Sequence, residues 1–189
     1  IDEKKFFEFS TQLLQAPRIF VAGAGRTGLI MRCFAMRLMH LGLQVQIVGE
    51  ITTGSAKKED VLLIGSGSGE TGSLVSIAGK GKSLGMRVLL ISINTESSIG
   101  KLSNNCLKIP ASSPKLTQSQ SFKSIQPMGN LFEQSMLVLL DSMAIQVLVL
   151  VVAVAVLVDA VVPDLLGARV HIRVVVVAVR RRVVHTTLA

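Results

Sequence analysis

The segment from Ser66 to Thr71 has the side chains best suited to chemistry, because it combines three hydroxyl groups with glycines in six consecutive positions. Its residues are Ser66, Gly67, Ser68, Gly69, Glu70 and Thr71. It follows an apolar run and precedes an amphipathic one, which predicts a turn between a strand and a helix. Free N–H groups at a helix N-terminus, flanked by hydroxyls, form a binding nest for a phosphate monoester. The alternative is a helix cap, which requires one hydroxyl and leaves the other two unexplained.

A second glycine motif, residues 23–28, also follows a predicted strand and begins a helix. Its glycine spacing is that of a dinucleotide-binding loop, and Glu50 lies where a ribose-binding acid would be expected. The chain is short for a cofactor domain joined to a substrate domain, however, and Arg26 and Thr27 offer side-chain contacts to a compact anion. We therefore favour an anion site, while glycines required only for packing remain an alternative.

The apolar runs predict five strands that alternate with helices. We expect strands at 18–22, 45–49, 61–65, 87–93 and 106–109, and helices at 26–41 and 71–84. This alternation predicts an α/β fold with three αβα layers and a doubly wound, five-stranded parallel sheet in the flavodoxin-like order 2-1-3-4-5. Both glycine motifs then follow neighbouring strands at the point where the strand order reverses, so they should share one pocket.

The C-terminal third of the chain is less regular. Residues 111–130 are rich in Ser, Gln and Pro, which is typical of a long loop that closes over a site, and a last helix is predicted at about 131–146. Residues 147–189 consist mainly of Val, Ala, Leu and Arg and contain no Lys, Ser, Asn, Glu or Phe. We therefore divide the chain into a domain of residues 1–146 and an atypical segment of residues 147–189. A shifted reading frame is our hypothesis for that segment, and a membrane anchor is disfavoured because its apolar stretch is short.

The composition sets limits on location and partners. A chain of 189 residues is the size of one domain. Five arginines of the last segment raise the net charge to +8, and without Trp or Tyr for base stacking a nucleic-acid partner is not expected. The residues before the first strand lack a signal-peptide pattern, and Cys33 and Cys106, each in an apolar run, are interpreted as reduced core thiols. We expect a cytoplasmic protein without a membrane partner.

Several separate blocks of the sequence resemble one family of sugar isomerase (SIS) proteins. Ser-Gly-Ser-Gly-Glu-Thr after a strand is similar to the SIS domain, and further blocks resemble 6-phospho-3-hexuloisomerase. These blocks are residues 23–28, 35–40, 47–50, 96–100 and 126–134, the last reading Gln-Pro-Met-Gly-Asn-Leu-Phe-Glu-Gln. The resemblance covers about residues 18–146.

The resemblance implies a reaction and a set of site residues. Members of this family interconvert D-arabino-hex-3-ulose 6-phosphate and D-fructose 6-phosphate in formaldehyde fixation through the ribulose monophosphate pathway, without a metal or redox cofactor. Thr27 and residues 66–71 would then contact the substrate, and Glu133 would be the proton acceptor. From spacing alone, Asn130 and Glu133 are equally typical of a capped helix start. The resemblance also implies a homo-oligomer with sites shared between chains, which we expect to be a tetramer.

Three further residues are candidates for substrate binding, each with a structural alternative. Arg26 and Arg37 are three helical turns apart and could supply donors to the oxygens of an enediolate. For Arg37 an ion pair with Glu50 is an equal alternative. Asn94 lies at the end of the fourth strand, where turn formation explains it as well. His185 weakly resembles a C-terminal histidine of the family, and we assign it no role.

Two other functions remain open at this point. One is a non-catalytic SIS module that senses sugar phosphates, for which no carboxylate is required at position 133. The other is an SIS isomerase that acts on a different sugar phosphate.

Overall fold

The chain folds around one parallel sheet flanked by helices on both faces. The computed structural model describes residues 2–112, 126 and 129–161. The strands are β1 (Ile19–Gly23), β2 (Val45–Ile47), β3 (Val61–Gly65), β4 (Arg87–Ser92) and β5 (Asn105–Lys108). The helices are α1 (Glu3–Gln15), α2 (Gly25–His40), α3 (Gly72–Ser83), α4 (Ser98–Leu102) and α5 (Asn130–Val161). The strand order is β2-β1-β3-β4-β5 and every pair is parallel, which confirms the predicted fold class.

Alternate residues of the central strands face two separate cores, because successive side chains of a strand point to opposite faces of the sheet. Val61 and Leu63 of β3 pack with α1, α2 and α5, whereas Leu62 and Ile64 pack on the side of α3 and α4. All five residues of β3 are buried. Burial on both faces explains why this strand is a continuous apolar run rather than an alternating one.

The last helix is longer than the sequence pattern predicted. Helix α5 crosses Gln146, where the composition changes, and ends at Val161. Val147 is fully buried and Val151 is 5% exposed, because both continue the apolar stripe that begins at Met136. The change in composition therefore does not coincide with the end of the helix. The predicted loop lies mostly outside the described residues, as does the chain beyond Val161.

Helix α5 also meets the length and composition criteria for a membrane-spanning helix, over Asn130–Val154 with a mean hydropathy of 2.6. The core helix of a globular fold can meet the same criteria. Here the inner stripe of α5, including Met136, Leu140 and Met143, belongs to the core that also contains residues of α1 and α2. The described structure accounts for that stripe as part of the core.

Close packing of glycines brings α2 against the sheet. A Cβ atom on Gly28 would lie 2.7 Å from the carbonyl oxygen of Gly23, and a Cβ on Gly65 would lie 2.7 Å from the sulfur of Met31. Gly25, between these positions, has a φ of +57°, which side chains disfavour. The glycines of the first motif are therefore required for packing, and the motif also lies beside the candidate site.

Candidate active site

A cavity of about 480 Å³ opens at the carboxyl ends of β1 and β3, beneath the first turn of α5. Both glycine motifs contribute to it, as the strand order predicted. Its lining residues are Ala24, Gly25, Arg26, Thr27, Gly65, Ser66, Gly67, Ser68, Thr71, Leu74, Ile93, Gly129, Phe132 and Glu133. The structure therefore brings together seven of the eleven predicted site residues: Arg26, Thr27, Ser66, Gly67, Ser68, Thr71 and Glu133.

The turn after β3, residues 66–71, is held together by hydrogen bonds between its serine hydroxyls and its own backbone. The buried Ser66 accepts a hydrogen bond through Oγ from the N–H of Gly69 at 3.1 Å, and Ser68 Oγ accepts one from the N–H of Glu70 at 3.2 Å. Thr71 is the N-cap of α3, yet its hydroxyl makes no capping bond. The hydroxyl that a simple cap would use is therefore left to face the cavity.

The first turn of α2 forms the opposite wall of the cavity. Its N-cap, Ala24, has no side chain that can cap the helix, so the first N–H groups have no partner within α2. Thr27 is 9% exposed and lines the cavity together with Arg26. Together with the loop after β3, this helix start gives the cavity two sets of backbone donors, an arrangement that favours an anionic ligand.

Glu133 is the carboxylate of this cavity. It lies in the first turn of α5, where the helix dipole favours a negative charge, and it is only 8% exposed. Arg26 Nε lies 2.9 Å from Glu133 Oε2, and the two groups form an ion pair. The N–H is not aligned with the oxygen, so Oε2 accepts no hydrogen bond. Phe132 and Ile93 add apolar walls beside it. A buried carboxylate with an open lone pair next to a cation is suited to proton transfer.

Four predicted substrate-binding residues lie outside the cavity lining. Gly69, within the loop, is buried and has a φ of +68°. Glu70 is exposed, and its carboxylate accepts the N–H of Ser98 at 2.8 Å. The hydroxyl and the N–H of Ser98 together lower the pKa of Glu70 below its usual value.

The other two of the four residues match their structural alternatives. Arg37 Nε lies 3.2 Å from Asp141 Oδ1 of α5, so Arg37 forms an ion pair. Its partner is not Glu50, the residue considered from the sequence, because Glu50 pairs with Arg32. Asn94 Oδ1 accepts the N–H of Glu96 at 3.0 Å and so stabilises a turn. Neither residue is brought to the cavity in this arrangement.

Sequence reasoning missed the apolar part of the site and its ion pair. Phe132 directly precedes Glu133, and Ile93 ends the predicted fourth strand, so both could have been found by asking what excludes water next to the carboxylate. The pairing of Arg26 with Glu133 joins residues 107 positions apart in the sequence, which no local pattern reports. Among residues 2–112, 126 and 129–161, no three His, Cys, Asp or Glu side chains form a group that could hold a metal ion.

Comparison with known proteins agrees with this geometry. The SIS domain family matches residues 12–138, so the chain belongs to the SIS-domain proteins. The 3-hexulose-6-phosphate isomerase of Bacillus subtilis is 45% identical over 148 residues, which are 78% of this chain and 80% of that protein. The enzyme of the same name from Mycobacterium gastri is 39% identical, over 75% of this chain and 70% of its own length.

A solved structure points to the same group. A Methanococcus jannaschii protein, for which a molecular function of 3-hexulose-6-phosphate isomerase has been inferred, is 34% identical with a TM-score of 0.68 and covers 77% of this chain and 76% of its own. Within the SIS-domain proteins, the chain belongs to the 3-hexulose-6-phosphate isomerase family. The predicted resemblance to this family is confirmed.

Proposed function

We propose that this chain is an isomerase that interconverts D-arabino-hex-3-ulose 6-phosphate and D-fructose 6-phosphate in formaldehyde fixation through the ribulose monophosphate pathway. One observation supports this most strongly. A loop suited to a phosphoryl group and a buried carboxylate, Glu133, line the same cavity. The names of the relatives favour this reaction over a non-catalytic sensor and over an isomerase of another sugar phosphate.

The cavity offers a group for each requirement of the reaction. Moving the carbonyl from C3 to C2 requires removal of the proton on C2 to give a 2,3-enediolate, transfer of the hydroxyl proton from O2 to the neighbouring O3, and return of a proton to C3. Glu133 would take the first proton and return the second, since a single carboxylate beside both carbons can do both. The phosphoryl group would bind at residues 66–71, which fixes the two reacting carbons relative to Glu133.

Arg26 would have two successive roles. In the free protein its Nε lies 2.9 Å from Glu133 Oε2, so the guanidinium holds the carboxylate in place at the cavity wall. Its side chain is 62% exposed and can therefore move at little cost. In the complex it would donate hydrogen bonds to the enediolate oxygens, where negative charge develops in the transition state.

The test is a Glu133→Gln variant compared with an Asp141→Asn control. Both residues lie on α5 and pair with an arginine of α2, so the two variants remove the same kind of ion pair and only one of them affects the cavity. Conversion of fructose 6-phosphate to the 3-ketose should fall by about two to four orders of magnitude in Glu133→Gln, the usual contribution of a general base. Asp141→Asn should keep the wild-type rate.

Exchange of the C3 hydrogen of fructose 6-phosphate with solvent provides a second measurement, because it reports enediolate formation directly. Wild-type protein should exchange this hydrogen, and Glu133→Gln should bind fructose 6-phosphate without exchanging it. Wild-type turnover by Glu133→Gln would remove this residue from the mechanism. Binding without any turnover by the wild-type protein would instead favour the sensor.

We further propose that the isomerase domain is residues 1–146, that it acts in the cytoplasm, and that it assembles as a homotetramer. All cavity residues lie between Ala24 and Glu133. Cys33 and Cys106 are free, as is usual in a reducing compartment. Large apolar side chains are exposed on the outer faces of α2 and α5, including Leu29, Met36, Met39, Val138, Ile145 and Val149.

Such exposed apolar faces are typical of subunit interfaces. Light scattering coupled to size-exclusion chromatography should give four copies of the 20.2 kDa chain, and cell fractionation should recover it with cytoplasmic enzymes. A monomeric mass at micromolar concentration would contradict the assembly.

A further inference from the structure

The loop after β3 is attached to a second loop that follows β4. The carbonyl oxygen of Gly67 accepts hydrogen bonds from Ser92 Oγ and from the N–H of Ile93, both at 3.1 Å. The carbonyl of Gly69 accepts the N–H of Ile99 at 3.1 Å. We call residues 92–99 the support segment. Two carbonyls of the loop after β3 therefore point towards this segment.

The direction of these carbonyls determines the direction of the neighbouring N–H groups. A trans peptide is planar, so the C=O of one residue and the N–H of the next point in opposite directions. When the support segment holds the carbonyl of Gly67, the N–H of Ser68 must point away from that segment's donors, and Ser68 lines the cavity. Within the described residues this N–H makes no hydrogen bond, so it remains available to a ligand.

The support segment also limits which residues the loop can contain. Gly69 has a φ of +68°, and a Cβ atom there would overlap the side chain of Ser97. Ser97 is fixed in turn, because its Oγ accepts the N–H of Gly100. The two loops are thus in direct contact at a position where only glycine fits.

Glu70 provides the side-chain link between the two loops. Its Oε1 accepts the N–H of Ser98 at 2.8 Å, next to the bond from Ile99 to Gly69. Its carboxylate is exposed and is not part of the cavity lining. A direct contact with a phosphoryl group is physically unfavourable, because two anions would repel each other. The position of Glu70 is instead explained by its bond to the support segment.

We propose that Glu70 is a positioning residue, which joins the loop after β3 to the support segment and thereby directs the N–H of Ser68 at the phosphoryl group of the substrate. This role rests on the proposed function, since it concerns the same site. It differs from the substrate contact predicted from the sequence, because Glu70 acts through the backbone of residues 67–70. It requires a hydrogen-bond acceptor at position 70 and does not require a negative charge.

The experiment compares Glu70→Ala, Glu70→Gln and the control Glu96→Ala in the full chain. Glu96 is an exposed carboxylate in the support segment that accepts no hydrogen bond among the described residues. Calorimetric titration with inorganic phosphate should show a dissociation constant about three to ten times higher for Glu70→Ala, the size expected for losing one exposed charged hydrogen bond. Glu70→Gln keeps the acceptor and removes the repelling charge, so it should bind phosphate at least as tightly as wild type. Glu96→Ala should match wild type.

Two further measurements separate positioning from general stability. The melting temperature without phosphate should be the same for all four proteins, since the side chain of Glu70 is exposed. With fructose 6-phosphate, KM should rise in Glu70→Ala by the same factor as the phosphate dissociation constant, while kcat changes less. Glu70→Gln should restore KM.

Several results would overturn the role of Glu70. These are wild-type or tighter phosphate binding by Glu70→Ala, equally weak binding by Glu70→Gln and Glu70→Ala, and no phosphate binding by the wild-type protein. Failure of the proposed function is a separate outcome. If the wild-type protein binds phosphate but does not isomerise fructose 6-phosphate, the proposed reaction is wrong. Phosphate binding by Glu70→Ala and Glu70→Gln then still decides the role of Glu70.

Discussion

Replacing Gly28 with alanine should move the first turn of α2 and so displace the cavity wall that this turn forms. The new Cβ would lie 2.7 Å from the carbonyl oxygen and 3.0 Å from the carbonyl carbon of Gly23. Both atoms belong to the backbone of β1, which is held between β2 and β3 and cannot move aside, so α2 must shift. Overpacking of this kind costs about 1–3 kcal/mol, while alanine in a helix gains about 1 kcal/mol over glycine.

Gly79→Ala in α3 isolates the packing contribution. Gly79 is also inside a helix, and a Cβ there meets nothing within 4 Å, so only the helical gain should appear. The two variants should therefore differ by about 1–3 kcal/mol in the free energy of unfolding. In a chain of this size each kcal/mol shifts the melting temperature by about 2–4 °C, so Gly28→Ala should melt about 2–12 °C below Gly79→Ala.

Thermal unfolding followed by circular dichroism measures this difference, and the isomerase assay measures the shift of Arg26 and Thr27. Gly28→Ala should have lower kcat/KM, whereas Gly79→Ala should keep the wild-type value. Equal melting temperatures and equal activities for the two variants would refute the reasoning, because they would mean that α2 does not depend on a close approach at Gly28.

Two other predictions follow from groups outside the cavity. Arg18→Ala should destabilise the fold by about 3 kcal/mol in urea unfolding, because the buried Asp60, 2% exposed, would lose its charged partner. The exposed pair of Arg37 and Asp141 should contribute only about 0–1 kcal/mol by the same measurement. Equal losses of stability on breaking the two pairs would contradict this reasoning. Iodoacetamide at pH 8 should label the exposed Cys33 faster than Cys106. Burial raises the pKa of the Cys106 thiol above its ordinary value of 9.0, so less of the reactive thiolate is present at this pH. Equal labelling rates in peptide mass mapping would show that burial does not protect Cys106.

The sheet could be predicted because its signals are local. The apolar runs of β1, β3 and β4 and the glycines after two of them determine strand positions, strand order and the place of the cavity. Helix α4 was missed, since its five residues are too few to produce a periodic pattern. The interpretation of Cys33 as a core thiol was wrong, because an apolar run along α2 does not reveal which face is covered by the sheet.

The candidate site was predictable in part. Hydroxyls and glycines in one short segment predicted the anion-binding loop, whereas the role of Glu133 came only from family resemblance. The partners of Arg37, Arg26 and Glu70 could not be predicted, because each lies on an element that is distant in sequence. A charged side chain has many such partners within reach of its length, and only the packed fold selects one.

The order of the elements along the chain has a consequence for synthesis on the ribosome. The sheet is complete at Lys108, and both glycine loops precede that point, whereas Glu133 follows it. Both glycine loops therefore leave the ribosome before the carboxylate that we propose as the proton carrier. With Glu133 in that role, a growing chain cannot isomerise a sugar phosphate until the final helix has packed against the sheet.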